Sequence, residues 1–182
     1  MKYFSITTPL VSSQQAYNSW DSVDADAHAA AAHAAGRTFL AAVVGPTSPL
    51  SLRRALQQIA HYFKRELQYD FLQYEIAWEG PFTAFLWGEP DYLDGSDRIP
   101  IIGACLFQPI TFKDIGPMPV LSWIWIHPYR RRSGLLTAAW PYFEARFKRF
   151  VVDQPRPAMR AFLKNRTVYD SWMEEWIKEQ VV

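Results

Sequence analysis

The chain has 182 residues, of which 49% are hydrophobic and 16% aromatic, and its formal net charge is +1. This length suits one globular domain, and so large an apolar share excludes a disordered or collagen-like chain. A single cysteine, Cys105, excludes an internal disulfide and a multi-thiolate zinc site. Because the sequence has neither a long apolar run nor a signal peptide, it predicts a soluble, cytoplasmic protein with no membrane segment.

The small net charge conceals an uneven distribution of charge along the chain. Residues 121–166 contain ten Lys or Arg against two acidic residues, a net charge of +8, so the remainder carries −7. A basic segment on a nearly neutral protein indicates a local anion site, for phosphates or for nucleic acid. A solvated surface would have the same composition. The order of residues within the segment has to distinguish an anion site from such a surface.

The first half of the chain contains one strongly periodic helix. Residues 1–45 are predicted to form an arm that carries an Ala-rich helix over 24–36 and a strand over 38–44. Ser48 is predicted to cap the next helix, with Pro49 in its first turn, and apolar side chains then recur every three or four residues. This spacing predicts an amphipathic helix that turns one face to the core.

Strands dominate the middle of the chain, and a helix follows its most basic loop. The predicted elements are strands over 72–78, 82–87, 101–110 and 120–126, a proline-bearing loop over 113–119, a basic loop over 127–133, a helix over 134–149, a strand over 150–152 and a short helix over 157–164. In the strand over 120–126 tryptophans alternate with isoleucines, so we expect helices to cover both of its faces. Residues 46–166 would form the main domain, and 167–182 an amphipathic helix suited to packing or to a homodimer contact.

The basic loop between an apolar strand and a helix has the layout of a phosphate cradle. Unpaired N–H groups in the first turn of a helix, together with the helix dipole, attract an anion. The loop sequence from Ile126 to Leu136 resembles the coenzyme A (CoA) pyrophosphate loop of the GCN5-related N-acetyltransferase (GNAT) superfamily. Pro128, Arg131 and Gly134 match the motif of that loop, whereas Leu136 replaces its final small residue.

A narrower resemblance covers about 45 residues around this loop. The sequence from Ser122 to Ile126, with the arginines that follow and the stretch from Asp153 to Phe162, is similar to the sister-chromatid-cohesion acetyltransferases. Their catalytic serine aligns with Ser122, while their catalytic aspartate aligns with Gln154, so Asp153 lies one position early. Phe162 takes the place of a tyrosine that acts as general acid elsewhere in the superfamily, and phenylalanine has no proton to give. The zinc finger of the cohesion enzymes is absent.

The resemblance implies a fold, a ligand and a set of site residues. The fold is α/β (α+β), with a mixed, mostly antiparallel sheet flanked by helices, as in acyl-CoA N-acyltransferases. Acetyl-CoA would lie where the strands ending at Ile126 and starting at Phe150 splay apart. The candidate residues for binding it are Ile124, Trp125, Ile126, Arg131, Arg132, Ser133, Gly134, Leu135 and Leu136. The candidate catalytic residues are Ser122, Asp153 and His127, with Glu75 and Glu79 on an earlier strand as further candidates for the base.

The predicted function is therefore transfer of an acetyl group from acetyl-CoA to an amine, such as a protein lysine, a protein N-terminus or a small amine. The acidic stretch over 66–114 favours a cationic acceptor. Two alternatives stay open: a catalytically inactive binding module with the same fold, and a nucleic-acid binder that uses the basic segment. The aromatic residues of that segment occupy periodic apolar positions instead of alternating with the arginines, which disfavours nucleic acid.

No metal site is predicted. His28 and His33 are five residues apart on the Ala-rich helix, a spacing that does not bring two ligands to one helix face. Cys105 lies inside an apolar strand and is predicted to be a small core residue.

Overall fold

The computed structural model describes residues 6–19, 39–89, 97–113, 115–164 and 166. Its elements in chain order are β1 (Leu10–Ser12), α1 (Ser13–Tyr17), β2 (Phe39–Val44), α2 (Leu50–Leu67), β3 (Thr83–Gly88), β4 (Arg98–Phe112), β5 (Gly116–Ile126), α3 (Leu135–Phe147), β6 (Val151–Val152) and α4 (Pro157–Leu163). A single 3-10 turn, Pro128–Arg130, follows β5. The helices predicted over 24–36 and 167–182 lie outside the described residues.

The strands form one six-stranded sheet in the order β2-β3-β4-β5-β6, and β1 pairs with the start of β4. Neighbouring strands from β2 to β5 are antiparallel, while β5 and β6 are parallel. The predicted mixed, mostly antiparallel sheet flanked by helices is confirmed. Two strands of the segment predicted as an arm, β1 and β2, are hydrogen-bonded into this sheet, so the N-terminal segment contributes directly to the core.

Helices cover both faces of the sheet, as the alternation in β5 predicted. On one face, the apolar stripe of α2 packs with Trp123 and Trp125. On the other face, Ile124 and Ile126 pack with the cluster formed by α3 and α4, whose centre is the fully buried Phe143. Burial of a large apolar side chain contributes about 1.5–3 kcal/mol. The two clusters therefore fix β5 firmly between the helical layers.

The strand predicted over 72–78 is wrong, because this segment has no strand pairing. Its aromatic residues pack on the α2 face instead: Tyr74 is 1% exposed, and Trp78 stacks on Phe82 with their ring centroids 5.8 Å apart. Glu75 and Glu79 are exposed on this irregular segment and lie outside any strand. Aromatic residues are common both in strands and in packed loops, which explains why a strand was predicted here.

The hairpin of β4 and β5 is longer than predicted. Pairing continues as far as Phe112 opposite Gly116, so the prediction of a loop over 113–119 is wrong in extent. Pro109 lies opposite Pro119, and such a pair fits a non-hydrogen-bonded position of the ladder, where neither residue has to donate an N–H. The prolines that favoured a loop are thus compatible with a strand.

Two further observations concern the predicted cap of α2, which is wrong, and a proline inside α3. Ser48 does not cap α2; its Oγ accepts a hydrogen bond from the Gly45 N–H at 2.9 Å, and the helix begins at Leu50 with the carbonyl of Pro49 accepting from Leu52. The helix α3 continues through Pro141, which forfeits one backbone hydrogen bond on its exposed side.

Candidate active site

The strands β5 and β6 separate soon after they pair. Their pairing is confined to Val120 with Val151 and Leu121 with Val152, and it ends with a hydrogen bond of 3.0 Å from the Asp153 N–H to the Leu121 carbonyl. Since β5 continues to Ile126, its edge beyond Leu121 has no neighbouring strand on the β6 side among the residues that the structure describes. The sheet therefore splays open at this point, as the resemblance implied.

A β-bulge marks the vertex of this splay. Leu106 pairs with Trp123 and Phe107 with Leu121, so Ser122 is an extra residue without a partner in β4. Such a bulge resets the alternation of the strand, and Leu121 lies on the α3 face whereas Trp123 lies on the α2 face.

The register beyond the bulge determines where the backbone groups of β5 point. The His127 N–H donates to the Ile102 carbonyl at 2.8 Å. Because donor and acceptor groups alternate along an antiparallel ladder, the N–H and C=O groups of Ile124 and Ile126 point away from β4. They face the open edge, where the Ile126 carbonyl accepts from Arg131 and the other groups can form hydrogen bonds with an extended ligand.

A cleft of about 540 Å³ occupies the splay and reaches both faces of β5. The predicted site residues that line it are Ser122, Ile124, Trp125, Ile126, Arg131, Arg132, Gly134, Leu135, Leu136 and Asp153. His127 and Ser133 are not among its lining residues. The Oγ of Ser133 donates to the Arg130 carbonyl at 2.7 Å, and the Nδ1 of His127 accepts from the Tyr129 N–H at 3.4 Å. Burial and the charge of Arg131 lower the pKa of His127.

The loop after β5 is shaped by glycine at one position. Gly134 has φ +84°, and a Cβ there would meet no atom within 4 Å. Glycine is therefore favoured by the backbone conformation at this position, and not by a lack of space for a side chain. The helix α3 starts directly after it, and no side chain caps its first turn in the described structure. Its first N–H groups are therefore directed into the cleft end without side-chain partners, as a phosphate cradle needs. The side chain of Leu136 packs partly against the α3-side cluster.

The side chain of Arg131 is held by two hydrogen-bond partners at the mouth of the cleft. Its Nε donates to the Ile126 carbonyl at 2.9 Å, and its guanidinium donates to Glu66 Oε2 at 2.6 Å. The Trp125 Nε1–H donates to the same oxygen at 2.9 Å. Burial alone would raise the pKa of Glu66, but the hydrogen bonds from Arg131 and Trp125 and the Arg131 charge outweigh it, so this pKa is lowered.

At the vertex, the two polar side chains with predicted catalytic roles both line the cleft. Ser122 Oγ donates to Gln108 Oε1 at 3.1 Å. Asp153 is half-buried, and this burial raises the pKa of its carboxyl. A strand would turn Asp153 and Gln154 to opposite faces, but β6 ends at Val152 and the chain bends at Gln154, where φ is +37°. Both residues consequently lie on the cleft wall.

The sequence-based predictions did not include the α2 wall of the cleft or Arg156. The end of α2 and the residues after it contribute Phe63, Glu66, Leu67 and Tyr69. The guanidinium of Arg156 lies over the Tyr69 ring, 5.7 Å from its centroid. Glu66 is 65 positions from Arg131 and Tyr69 is 87 positions from Arg156, and no local motif connects these segments.

Within the described ranges, no group of three or more His, Cys, Asp or Glu side chains is arranged to hold a metal ion. The helices of the same part of the chain are all too short or too polar to cross a membrane. Cys105 is fully buried, which raises the pKa of its thiol well above the usual value.

One solved structure with a similar architecture is an acetyltransferase domain. The xEco2 acetyltransferase domain bound to a CoA conjugate superposes with a TM-score of 0.53 and 12% identity, covering 69% of this chain and 85% of that domain. The fold is that of an acyl-CoA N-acyltransferase. The fold predicted from the GNAT resemblance, including the likeness to cohesion acetyltransferases, is thereby confirmed. No protein-family model and no curated protein matches the sequence.

Two further structures are similar at lower scores. A second structure of the xEco2 acetyltransferase domain has 14% identity and a TM-score of 0.49, covering 69% of this chain and 81% of the other. A ribosomal-protein-alanine N-acetyltransferase from Brucella melitensis biovar Abortus 2308 has 15% identity and a TM-score of 0.44, covering 74% and 92%.

Proposed function

We propose that this protein is an N-acetyltransferase that moves the acetyl group of acetyl-CoA to an amine. The observation that carries the proposal is the open edge of β5, which leads from the bulge at Ser122 to the uncapped start of α3. One continuous cleft thus joins a vertex with polar side chains to an anion-binding loop.

The residues present suit the chemistry of acetyl-CoA. Its pantetheine arm has amide groups, which would pair with the outward C=O of Ile124 and the outward N–H of Ile126. Its pyrophosphate would accept hydrogen bonds from the N–H groups that begin α3, and Arg131 and Arg132 would add positive charge. Apolar side chains such as Leu135 and Met159 line the intervening wall.

In the reaction, the acceptor nitrogen forms a bond to the acetyl carbon while the carbon–sulfur bond breaks. The nitrogen loses one proton and the CoA sulfur gains one. Asp153 would accept the proton, directly or through a water, because burial raises the pKa of its carboxyl toward that of a useful base. The outward N–H of Ile124 would stabilise the negative charge that develops on the acetyl oxygen. Ser122 lies at the same vertex and would orient the reacting groups.

The inactive-module alternative is supported by Phe162, which lines the cleft where a tyrosine acid is common and has no proton to give. The nucleic-acid alternative, the homodimer and the cytoplasmic location stay predictions from the sequence.

The proposal is tested by release of the CoA thiol from acetyl-CoA in the presence of a panel of primary amines. We expect amine-dependent release that is lost in Asp153→Asn, while the variant still binds acetyl-CoA. Tight binding of acetyl-CoA without release for any amine would favour the inactive module instead.

A further inference from the structure

The charged side chains of the cleft bear on the nature of the acceptor, on the assumption that the proposed function is correct. Glu66 pairs with Arg131, and Glu89 pairs with Arg130. Carboxylates from the acidic part of the sequence are thus used to neutralise the basic loop. Two of the carboxylates that would attract a cationic acceptor are therefore already paired with arginines.

Arg156 is the cation at the vertex end of the cleft. It follows Asp153 by three residues, its side chain is exposed, and within the described part of the chain it has no ion pair or side-chain hydrogen bond. The Tyr69 ring supports its guanidinium from one side. A cation–π contact of this kind leaves the N–H groups of the guanidinium free for an anion.

Arg156 lies on the cleft wall on the side of the bulge, because Asp153, three residues before it, donates its N–H to the Leu121 carbonyl at 3.0 Å. Tyr69 stacks on Phe63 at 5.3 Å, and Phe63 packs against Trp123 at 5.6 Å, next to the bulge. Arg131 is instead tied through Glu66 to Trp125, two residues closer to the phosphate loop. The guanidinium of Arg156 therefore serves the end of the cleft at which acetyl transfer would take place.

We propose that the acceptor is a primary amine whose molecule also carries a carboxylate or another anionic group, which Arg156 binds while Asp153 faces the amine. A guanidinium binds a carboxylate through two parallel, charge-assisted hydrogen bonds. A polyamine or an arginine-rich peptide would place a second positive charge against Arg156. Free amino acids with a distal amine and lysines flanked by acidic residues share the required chemistry.

The test compares acceptors that differ only in the charge at the far end. Thiol release from acetyl-CoA is measured with 5-aminopentanoate, pentylamine and 1,5-diaminopentane, which have the same carbon chain. Two peptides, one with a lysine between glutamates and one with a lysine between arginines, distinguish a small acceptor from a protein. We expect kcat/KM for the better anionic acceptor to exceed that of its neutral or cationic counterpart by about tenfold or more. The reason is that hydrogen bonds to charged groups are stronger than hydrogen bonds between neutral groups.

Variants assign the preference to one side chain. In Arg156→Gln, kcat/KM for the anionic acceptor should fall to that of its uncharged or cationic counterpart, while the Kd of acetyl-CoA stays unchanged. Lys164→Gln removes an exposed charge just after α4, away from the cleft lining, and should keep the preference.

The outcomes separate the two proposals. A faster reaction with the diamine or the arginine-flanked peptide would overturn the acceptor assignment and leave the acetyltransferase proposal intact. A weakened acetyl-CoA affinity in Arg156→Gln would also overturn it, because the guanidinium would then belong to the acetyl-CoA site. Absence of both acetyl-CoA binding and thiol release would contradict the proposed function itself.

Discussion

Glu66 and Arg131 lie 65 positions apart in the sequence and form an ion pair of 2.6 Å at the mouth of the cleft. Their side chains are 26% and 40% exposed, so the pair contributes at most about 1 kcal/mol to stability. Its main effect is electrostatic, because it places a carboxylate beside the arginine that is predicted to bind a pyrophosphate.

Glu66→Gln should therefore strengthen acetyl-CoA binding. The amide oxygen can still accept from Trp125, while the negative charge that opposes the phosphates is gone. We expect the Kd of acetyl-CoA to fall severalfold at low salt in isothermal titration calorimetry, and less at high salt because the charges are screened. Glu75→Gln, an exposed carboxylate on another segment, is the control and should leave Kd unchanged. A weaker affinity in Glu66→Gln would mean that Glu66 positions Arg131 for the ligand.

Gly134→Ala should damage both stability and ligand binding. Its φ of +84° costs a residue with a side chain about 1–2 kcal/mol, and relief of this strain would move the first turn of α3. Gly116→Ala is a matched control, since Gly116 has φ +74° with the same open surroundings in the β4–β5 turn. Chemical denaturation should show similar losses for the two variants, whereas acetyl-CoA affinity should fall only in Gly134→Ala. Equal affinities would remove this turn from the binding site.

Much of this architecture follows from local sequence, and the errors have physical reasons. The alternation of Trp123 and Trp125 with two isoleucines predicted a strand buried on both faces because side-chain direction in a strand depends only on position. The bulge at Ser122 was not predictable, since any residue can be the extra one and the register of β4 decides. The Glu66–Arg131 pair depends on tertiary packing between distant segments. The strand predicted over 72–78 is wrong because a high aromatic content is equally compatible with a packed loop.

Asp153 should make both activity and stability depend on pH. Burial raises the pKa of its carboxyl in the folded protein, so folding favours the protonated form. Its contribution to stability is complete below the unfolded-state pKa and is lost as pH rises through the folded-state pKa. Asp153→Asn should thus gain stability relative to the native chain on going from acidic to neutral pH, in denaturation measured at several pH values.

The same carboxyl should set the acidic limb of the activity profile. If Asp153 accepts the proton, kcat/KM rises with pH through a pKa above the ordinary value of an aspartate and then levels off. Asp153→Asn should lose this limb together with most of the activity. An unchanged limb in Asp153→Asn would assign the proton transfer to another group.

Gly103→Ala should destabilise the central hairpin. A Cβ at this position would lie 2.9 Å from the Trp125 carbonyl oxygen and 3.1 Å from the Trp87 ring, where neither neighbour moves freely. Overpacking of this kind costs about 1–3 kcal/mol, which urea denaturation measures. Gly45→Ala, whose nearest contact would be an ordinary 3.8 Å, should change stability much less.

The most direct test of the central claim is thermal unfolding with and without acetyl-CoA. Ligand at about 100 times its Kd should add about 2.7 kcal/mol, a rise in Tm of roughly 5–10 °C for a chain of this size. The double variant Arg131→Ala, Gly134→Trp should show no rise over its own ligand-free Tm. The control double variant Lys113→Ala, Gly116→Trp likewise removes one basic side chain and replaces one glycine of positive φ, here in the β4–β5 turn, and should keep the rise. No shift of the native chain at millimolar acetyl-CoA would contradict an acetyl-CoA site in the splay of β5 and β6.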